Sequence, residues 1–366
     1  MKADFGTIAE RIVRDSLKLT WDDNVRIHAT EHVIPLAKEI VKEARRAGAD
    51  TIFTLDSDDI WYDAMLNLPI EWLQEPSTLR QALHGTMTAM VYAGGIDDPG
   101  PMKEISGERW RANSEGGRAT GEPWEDDPVP SVYVGLGAVT KTRAKVYGLD
   151  FEPWYESVLA SMAVSPETME AKAKGIVGRL GGAQEGRLTA PGGTDFQFAF
   201  HGSDPTAWIG RLDPVKGKKS TYYQSLPEGS VGIALRQGTG EGKVVSATPI
   251  PYAGEWIRGL SWTFEDGRLT DVQAEENVDQ MTMRWDDDKR ARGADQLGSL
   301  TIGVNPEARF GFLNDDIVEG AISLNVGDND DFDGTNRSDF TFPLFLQDAT
   351  LEVDGKPLVV DGVLKV

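Results

Sequence analysis

Between residues 24 and 55 the hydrophobic period changes twice, and this constrains the fold more than any other feature of the chain. Residues 24–29 alternate as a short strand, Leu36, Ile40, Val41 and Ala44 recur at helical spacing, and residues 51–55 alternate again. Gly48 stands where a helix takes its C-terminal cap. Strand, helix and strand at this spacing predict a right-handed βαβ unit, which requires a parallel sheet. Upstream, Ile8, Ile12, Val13 and Leu17 predict another helix. Downstream, strands are expected around 86–92 and 131–135. Residues 95–130, rich in Gly, Pro and acids, read as a long surface loop. Ser165-Pro-Glu then supplies an N-cap, a first-position proline and an acid near the positive helix end, so a helix is predicted from there to Gly181 and Gly182.

The second half changes character. Residues 186–200, 231–236, 256–264 and 269–274 alternate as strands. Asp266-Gly267, Asp354-Gly355 and Asp361-Gly362 are tight-hairpin signals. Only 278–292 has a helical pattern. With 366 residues, more than one typical domain, the chain is expected to divide into an N-terminal parallel-sheet α/β domain at 1–182 and a β-rich C-terminal domain at 183–366. The latter is expected to hold a strongly bent antiparallel sheet. The fold class is α/β plus α+β.

Several functions are excluded or disfavoured by composition. With no cysteine there is no disulfide, thiolate metal site or cysteine nucleophile. No apolar run is long enough for a membrane span, and residues 1–22 lack a signal peptide's apolar core, so a cytoplasmic protein is expected. Thirty-seven basic against 59 acidic residues leave a net charge of −22, which disfavours a nucleic-acid partner. Solubility and a salt-rich cytoplasm both remain open as reasons for that acidity.

Several runs carry a family likeness. HVIPLAKEIVKEARRAGADTIFTL, in the first βαβ stretch, is followed by SPETMEAKAKGIVGRLGGA and by GGTDFQF from Gly192. Four blocks lie in the C-terminal half: SLPEGSV from Ser225, LGSLTIGVNPEARF from Leu297, GAISLNVGDN from Gly320 and GTNRSDFTFPLFL from Gly334. In order and spacing these resemble the thermophilic metallo-aminopeptidase family of the aminopeptidase T and aminopeptidase S type across nearly the whole chain. The resemblance implies a two-domain fold, a dimer, and a two-metal site built from two Glu, two His and one Asp inside the four blocks. Carried over position by position, those ligands fall on Ser230, Ser299, Ser323, Thr341 and Pro343. All five have departed.

Divalent ions need anionic or imidazole donors at ~2.0–2.2 Å to replace their water. Ser and Thr hydroxyls are neutral and Pro has no side-chain donor, so the expectation is no metal, no cofactor and no family-type hydrolysis. The single-iron dioxygenase branch of the fold draws on the same types of position and meets the same objection. His201 is the only histidine of the C-terminal half and lies outside the four blocks.

Other motifs have plain counterparts. His28-Ala-Thr-Glu31-His32 matches a zinc-protease spacing but falls on a strand-to-helix turn, where cap or surface histidines are the simpler account. The run 328–334 resembles the start of a calcium loop, with Asn329, Asp331, Asp333 and Gly334 at the first, third, fifth and sixth positions. Phe340 stands where the bidentate Glu is required, leaving a solvated loop with weak cation binding as its most. The runs 124–127 and 285–288 set a tryptophan beside acids and are expected as exposed faces, with a basic partner segment as the alternative. Ser230, Ser299 and Ser323 could share a cavity lined by Asn325, Asn336 and Arg337, with no histidine to activate a serine.

These observations converge on a catalytically inactive aminopeptidase-like scaffold acting by binding, regulation or self-assembly, as a homodimer or larger homo-oligomer or with a protein partner. Two alternatives stay open: an enzyme of this fold with metal-independent or relocated hydrolysis, and a silent subunit of an active paralogue.

Overall fold

A computed structural model describes residues 4–122, 127–246, 248–279, 281–282, 285, 293–338 and 340–366. The chain forms two compact units, residues 1–162 with 210–227 and residues 163–209 with 228–366. This corrects the single cut expected at 182/183 in two respects. The helix from Ser165 buries Met169, Ala173, Ile176 and Leu180 in the C-terminal core, so it belongs to the second unit. Residues 210–227 return to the first unit and add a strand to its sheet.

The first unit opens with α1 (Phe5–Glu10), capped by Asp4, whose Oδ1 accepts from the Gly6 amide at 3.0 Å. Next come β1 (Asn24–Thr30), α2 (Ile34–Arg46) and β2 (Asp50–Asp56), the βαβ unit read from the sequence. The α2 stripe Leu36, Ala37, Ile40 and Ala44 is buried. At its end Gly48 has φ 98°, its N–H bonds the Arg45 carbonyl at 3.0 Å, and the Ala49 N–H bonds that of Ala44 at 3.1 Å. This is a Schellman cap, which a β-carbon at Gly48 would strain.

After α3 (Asp58–Asn67), α4 (Ile70–Gln74), α5 (Thr78–His84) and β3 (Ala89–Ala93), the stretch expected as a loop contains α6 (Gly107–Gly121). Ser106 caps it, and Ala112 packs with Met65, Leu73 and Ile105. A Cβ on Gly116 would overlap the Leu73 carbonyl, so the glycine permits close helix approach. The unit continues with β4 (Ser131–Val134), α7 (Lys141–Tyr147) and α8 (Phe151–Ala163), and is completed by Tyr223–Leu226, which is β8 in chain order. All pairs of its sheet are parallel, in the order β2-β1-β3-β4-β8.

The second unit contains α9 (Pro166–Leu180), β5 (Glu185–Ala190), β6 (Thr194–Ala199), β7 (Thr206–Trp208), β9 (Ser230–Ala234), β10 (Glu241–Val245), β11 (Ile250–Tyr252) and β12 (Glu255–Ile257). It continues with β13 (Ser261–Glu265), β14 (Arg268–Gln273), β15 (Leu297–Gly303), β16 (Ile322–Gly327), β17 (Thr341–Leu346), β18 (Thr350–Val353), β19 (Lys356–Val360) and β20 (Val363–Leu364). In place of one bent sheet there are two larger ones, β14-β13-β10-β6-β5-β18-β19-β20 and β17-β16-β15-β9-β7, plus the hairpin β11-β12. Phe196, Trp262, Leu300, Ile322 and Phe342 join the two larger sheets in one buried core. The three Asp-Gly pairs sit in two-residue hairpin loops with positive φ at both positions, the backbone a type I′ turn requires. Most of the helix expected at 278–292 lies outside the described residues.

Candidate functional site

All five positions that the family resemblance would make ligands lie on the β17-β16-β15-β9-β7 sheet. Ser230 opens β9, Ser299 is in β15, Ser323 in β16, and Thr341 and Pro343 are in β17. Directly paired residues share a sheet face. Ser299 pairs Ala234, Gly303 pairs Ser230, and Thr301 pairs both Gly232 and Ser323. Across the next ladder Asn325 pairs Pro343 and Gly327 pairs Thr341. The register therefore gathers Ser230, Ser299, Ser323, Thr341 and Pro343 on one face. Ile302, Ile322, Leu324 and Leu344 take the other, which is core. A bulge between Leu297 and Leu300 adds one residue to β15 around Ser299.

The face is polar but closed over part of its width. Ser230, Ser299 and Ser323 are all buried, and the Ser299 hydroxyl accepts from the Asn325 amide at 3.1 Å. Trp208 and Phe332 meet edge to face, with ring centroids 5.3 Å apart. Both rings lie over Gly232: a Cβ there would come within 2.5 Å of the Trp208 ring and 2.6 Å of Phe332. Trp208 pairs directly with Ser230, and Gly232 lies two residues further along β9 on the same face. The aromatic pair thus occupies the surface beside a position where the family resemblance places a glutamate.

This donor set does not fit a pair of divalent ions. Three neutral hydroxyls on serine, one on threonine and a proline supply no carboxylate and no imidazole. Among the described residues no group of three or more His, Asp and Glu side chains is placed to hold a metal ion.

The other sequence candidates separate in the structure. Asn336 is a backbone clamp: its amide donates to the carbonyls of Gly293, at 2.8 Å, and Gly327, at 2.6 Å. Asn329 is spent similarly, accepting from the Asn336 N–H at 2.8 Å and donating to the Gly298 carbonyl at 3.0 Å. Arg337 is exposed and pairs with Asp330 at 3.6 Å. Of the three expected cavity-lining residues, Asn325 alone hydrogen-bonds one of the serines. The acidic run 328–334 is a short 3₁₀ turn that carries Phe332 onto the Gly232 row.

His28 and His32 serve different partners. The His28 ring is 2.9 Å from the Thr54 hydroxyl and stacks on Tyr92 at 5.2 Å, while His32 Nε2 is 2.7 Å from the Gly137 carbonyl. Burial, with the Arg26 charge beside it, holds the His28 pKa down to about 4, so the ring is neutral at ordinary pH. Trp285, expected on an exposed face, is buried in the second core. Residues 124–126 and 286–288 of the two acidic runs lie outside the described residues.

Pro343 also lines a cavity of about 130 Å³ between the β11-β12 hairpin, β17 and the loop before Asp315. Burial pushes the Asp315 carboxyl up to about 6 against the lowering effect of the Gly311 N–H, which donates to it at 2.8 Å. Sequence patterning gives no signal for this cavity or for the Trp208–Phe332 contact, because each joins segments far apart in the chain.

The described residues thus form a two-sheet β unit, whose polar face gathers the five positions, and a parallel-sheet α/β unit. Residues 166–309 match the family described as thermophilic metalloprotease (M29), a span that includes Ser230 and Ser299. Wild-type AmpT from Thermus thermophilus is similar in structure, with a TM-score of 0.77 at 18% identity over 99% of both chains. So is 2,5-dihydroxypyridine dioxygenase from Pseudomonas putida KT2440, with a TM-score of 0.62 at 13% identity over 98% of this chain and 96% of that one. At these identities the two structures speak to fold alone. No curated protein sequence matches the chain. Residues 166–309 thus resemble the thermophilic metalloproteases, and the chain as a whole shares its fold with the two solved structures. No helix among the described residues is long and apolar enough to cross a membrane.

Proposed function

We propose that this chain is an aminopeptidase-like scaffold that has left metal-dependent hydrolysis behind. It acts by binding, regulation or self-assembly, as a homodimer or larger homo-oligomer in the cytoplasm. The observation that carries this is the serine-lined face. The register collects five positions that in the resembling family would be ligands, every one is neutral, and Trp208 and Phe332 cover the row through Gly232.

Without a metal to lower the pKa of a bound water, hydrolysis needs an activated side chain instead. Among the described residues the Ser299 hydroxyl is partnered by the Asn325 amide, which donates to its oxygen and cannot act as a base. The test is metal analysis of protein purified without chelators, together with a fluorogenic aminopeptidase assay. Substoichiometric metal and no turnover are expected. Near-stoichiometric zinc, cobalt or manganese with turnover would overturn the proposal.

A further inference from the structure

The cavity beside β17 has a composition that the serine-lined face does not explain. Its walls include Tyr252 and Trp256 from the β11-β12 hairpin, Phe342 and Pro343 from β17, and Leu313 from the loop ahead of Asp315. Asp315 is the one charged side chain among its lining residues. Asp315 is only 5% exposed. Leu313 holds φ 63°, a left-handed conformation unusual for a bulky residue, and the Gly311 N–H bond to Asp315 braces the same turn.

One function of Asp315 is thus to staple its loop, and the hydrogen-bond donors that hold it, on Gly311, Phe312 and Thr248, are all neutral. A backbone N–H orients a carboxylate without neutralising it, and a buried carboxylate is stabilised by a cation. Among the described residues no Lys, Arg or His pairs with Asp315, and the charge that acts on it is that of another acid, Asp316. An apolar cavity of this size is close to that needed for a single aromatic ring. The faces of Tyr252 and Trp256 attract positive charge, and the net charge of −22 raises the local concentration of cations. A ligand carboxylate, by contrast, would meet Asp315 with like charge.

We propose that this cavity binds a small organic cation, a ring-sized apolar body bearing one ammonium group. The ammonium sits at Asp315 and the body lies among Tyr252, Trp256 and Pro343. The cavity shares Pro343 with the serine-lined face, but its test reads binding rather than metal content or turnover, so the two proposals fail separately.

The experiment titrates the full chain with benzylammonium and with its neutral counterpart, benzyl alcohol, by calorimetry and tryptophan fluorescence. Saturable one-to-one binding of benzylammonium, at least about tenfold tighter than benzyl alcohol, is expected. Asp315→Asn keeps the side-chain volume and should abolish that preference, leaving benzyl alcohol unaffected. Trp256→Leu should weaken both probes. Equal affinity for the two probes overturns the proposal, as does full benzylammonium affinity in Asp315→Asn, or no saturable binding up to about 10 mM. Should Asp315→Asn fail to fold, Trp256→Leu decides, since unchanged benzylammonium affinity there also overturns the proposal.

Discussion

A carboxyl that is buried beside aromatic rings costs stability when it ionises, and Asp315 is such a group. Its pKa is pushed up to about 6 in the folded protein, from 3.8 when free. Below the lower value both states hold the proton and the group contributes nothing. As pH rises from there to about 6 the unfolded chain releases its proton first, so the folded state progressively loses ground. The full difference is about 3 kcal/mol at the outside, reached above pH 6. Asp315→Asn retains a carbonyl acceptor for the Gly311 N–H and cannot ionise. Relative to the parent, it should gain about 2 kcal/mol between about pH 4 and pH 7.5, measured by urea unfolding at both values. A constant difference between variant and parent would mean that Asp315 titrates normally.

At the scale of elements, α6 shows how close approach is written in glycine. Its face against α4 accepts Gly116 because a β-carbon there would run into the Leu73 carbonyl, a backbone atom with nowhere to rotate. Gly116→Ala should therefore lose about 2 kcal/mol or more despite alanine's higher helix propensity. Gly117, with open space around its Cβ direction, should lose nothing and gain slightly as Gly117→Ala. Thermal unfolding of the two variants checks both signs.

The same helix marks where patterning stops being informative. The α2 stripe and the three Asp-Gly hairpins were legible because each is set by residues a few positions apart. The α6 segment was not, since its Gly and acid content has the composition of a loop and its helical state depends on packing against Met65, Leu73 and Ile105. The five positions that the family resemblance makes ligands come from the spacing of the C-terminal blocks, and the strand register adds that they share a face. The Trp208–Phe332 cover on that face depends on a contact between residues remote in sequence, which no local period encodes.

For the whole molecule, charge sets the terms of association. A chain with net charge −22 repels a second copy of itself, so any interface in the proposed homo-oligomer must overcome a long-range penalty before its apolar contacts count. Salt acts selectively on that penalty. The screening length falls from about 30 Å at 0.01 M to about 3 Å at 1 M, while burial of apolar surface is not weakened by this screening. Exposed apolar side chains are available on the first unit, where Ile52 and Leu55 lie on the edge strand β2 and Trp21 is 78% exposed. If such surfaces supply the cohesion, raising sodium chloride from about 0.05 M to about 0.5 M should tighten the assembly at least severalfold. Sedimentation velocity over a concentration series at each salt reads this directly. Weakening with salt would mean that complementary charges hold the copies together in spite of the net acidity, and a monomer at every concentration and salt would remove self-assembly from the proposed function.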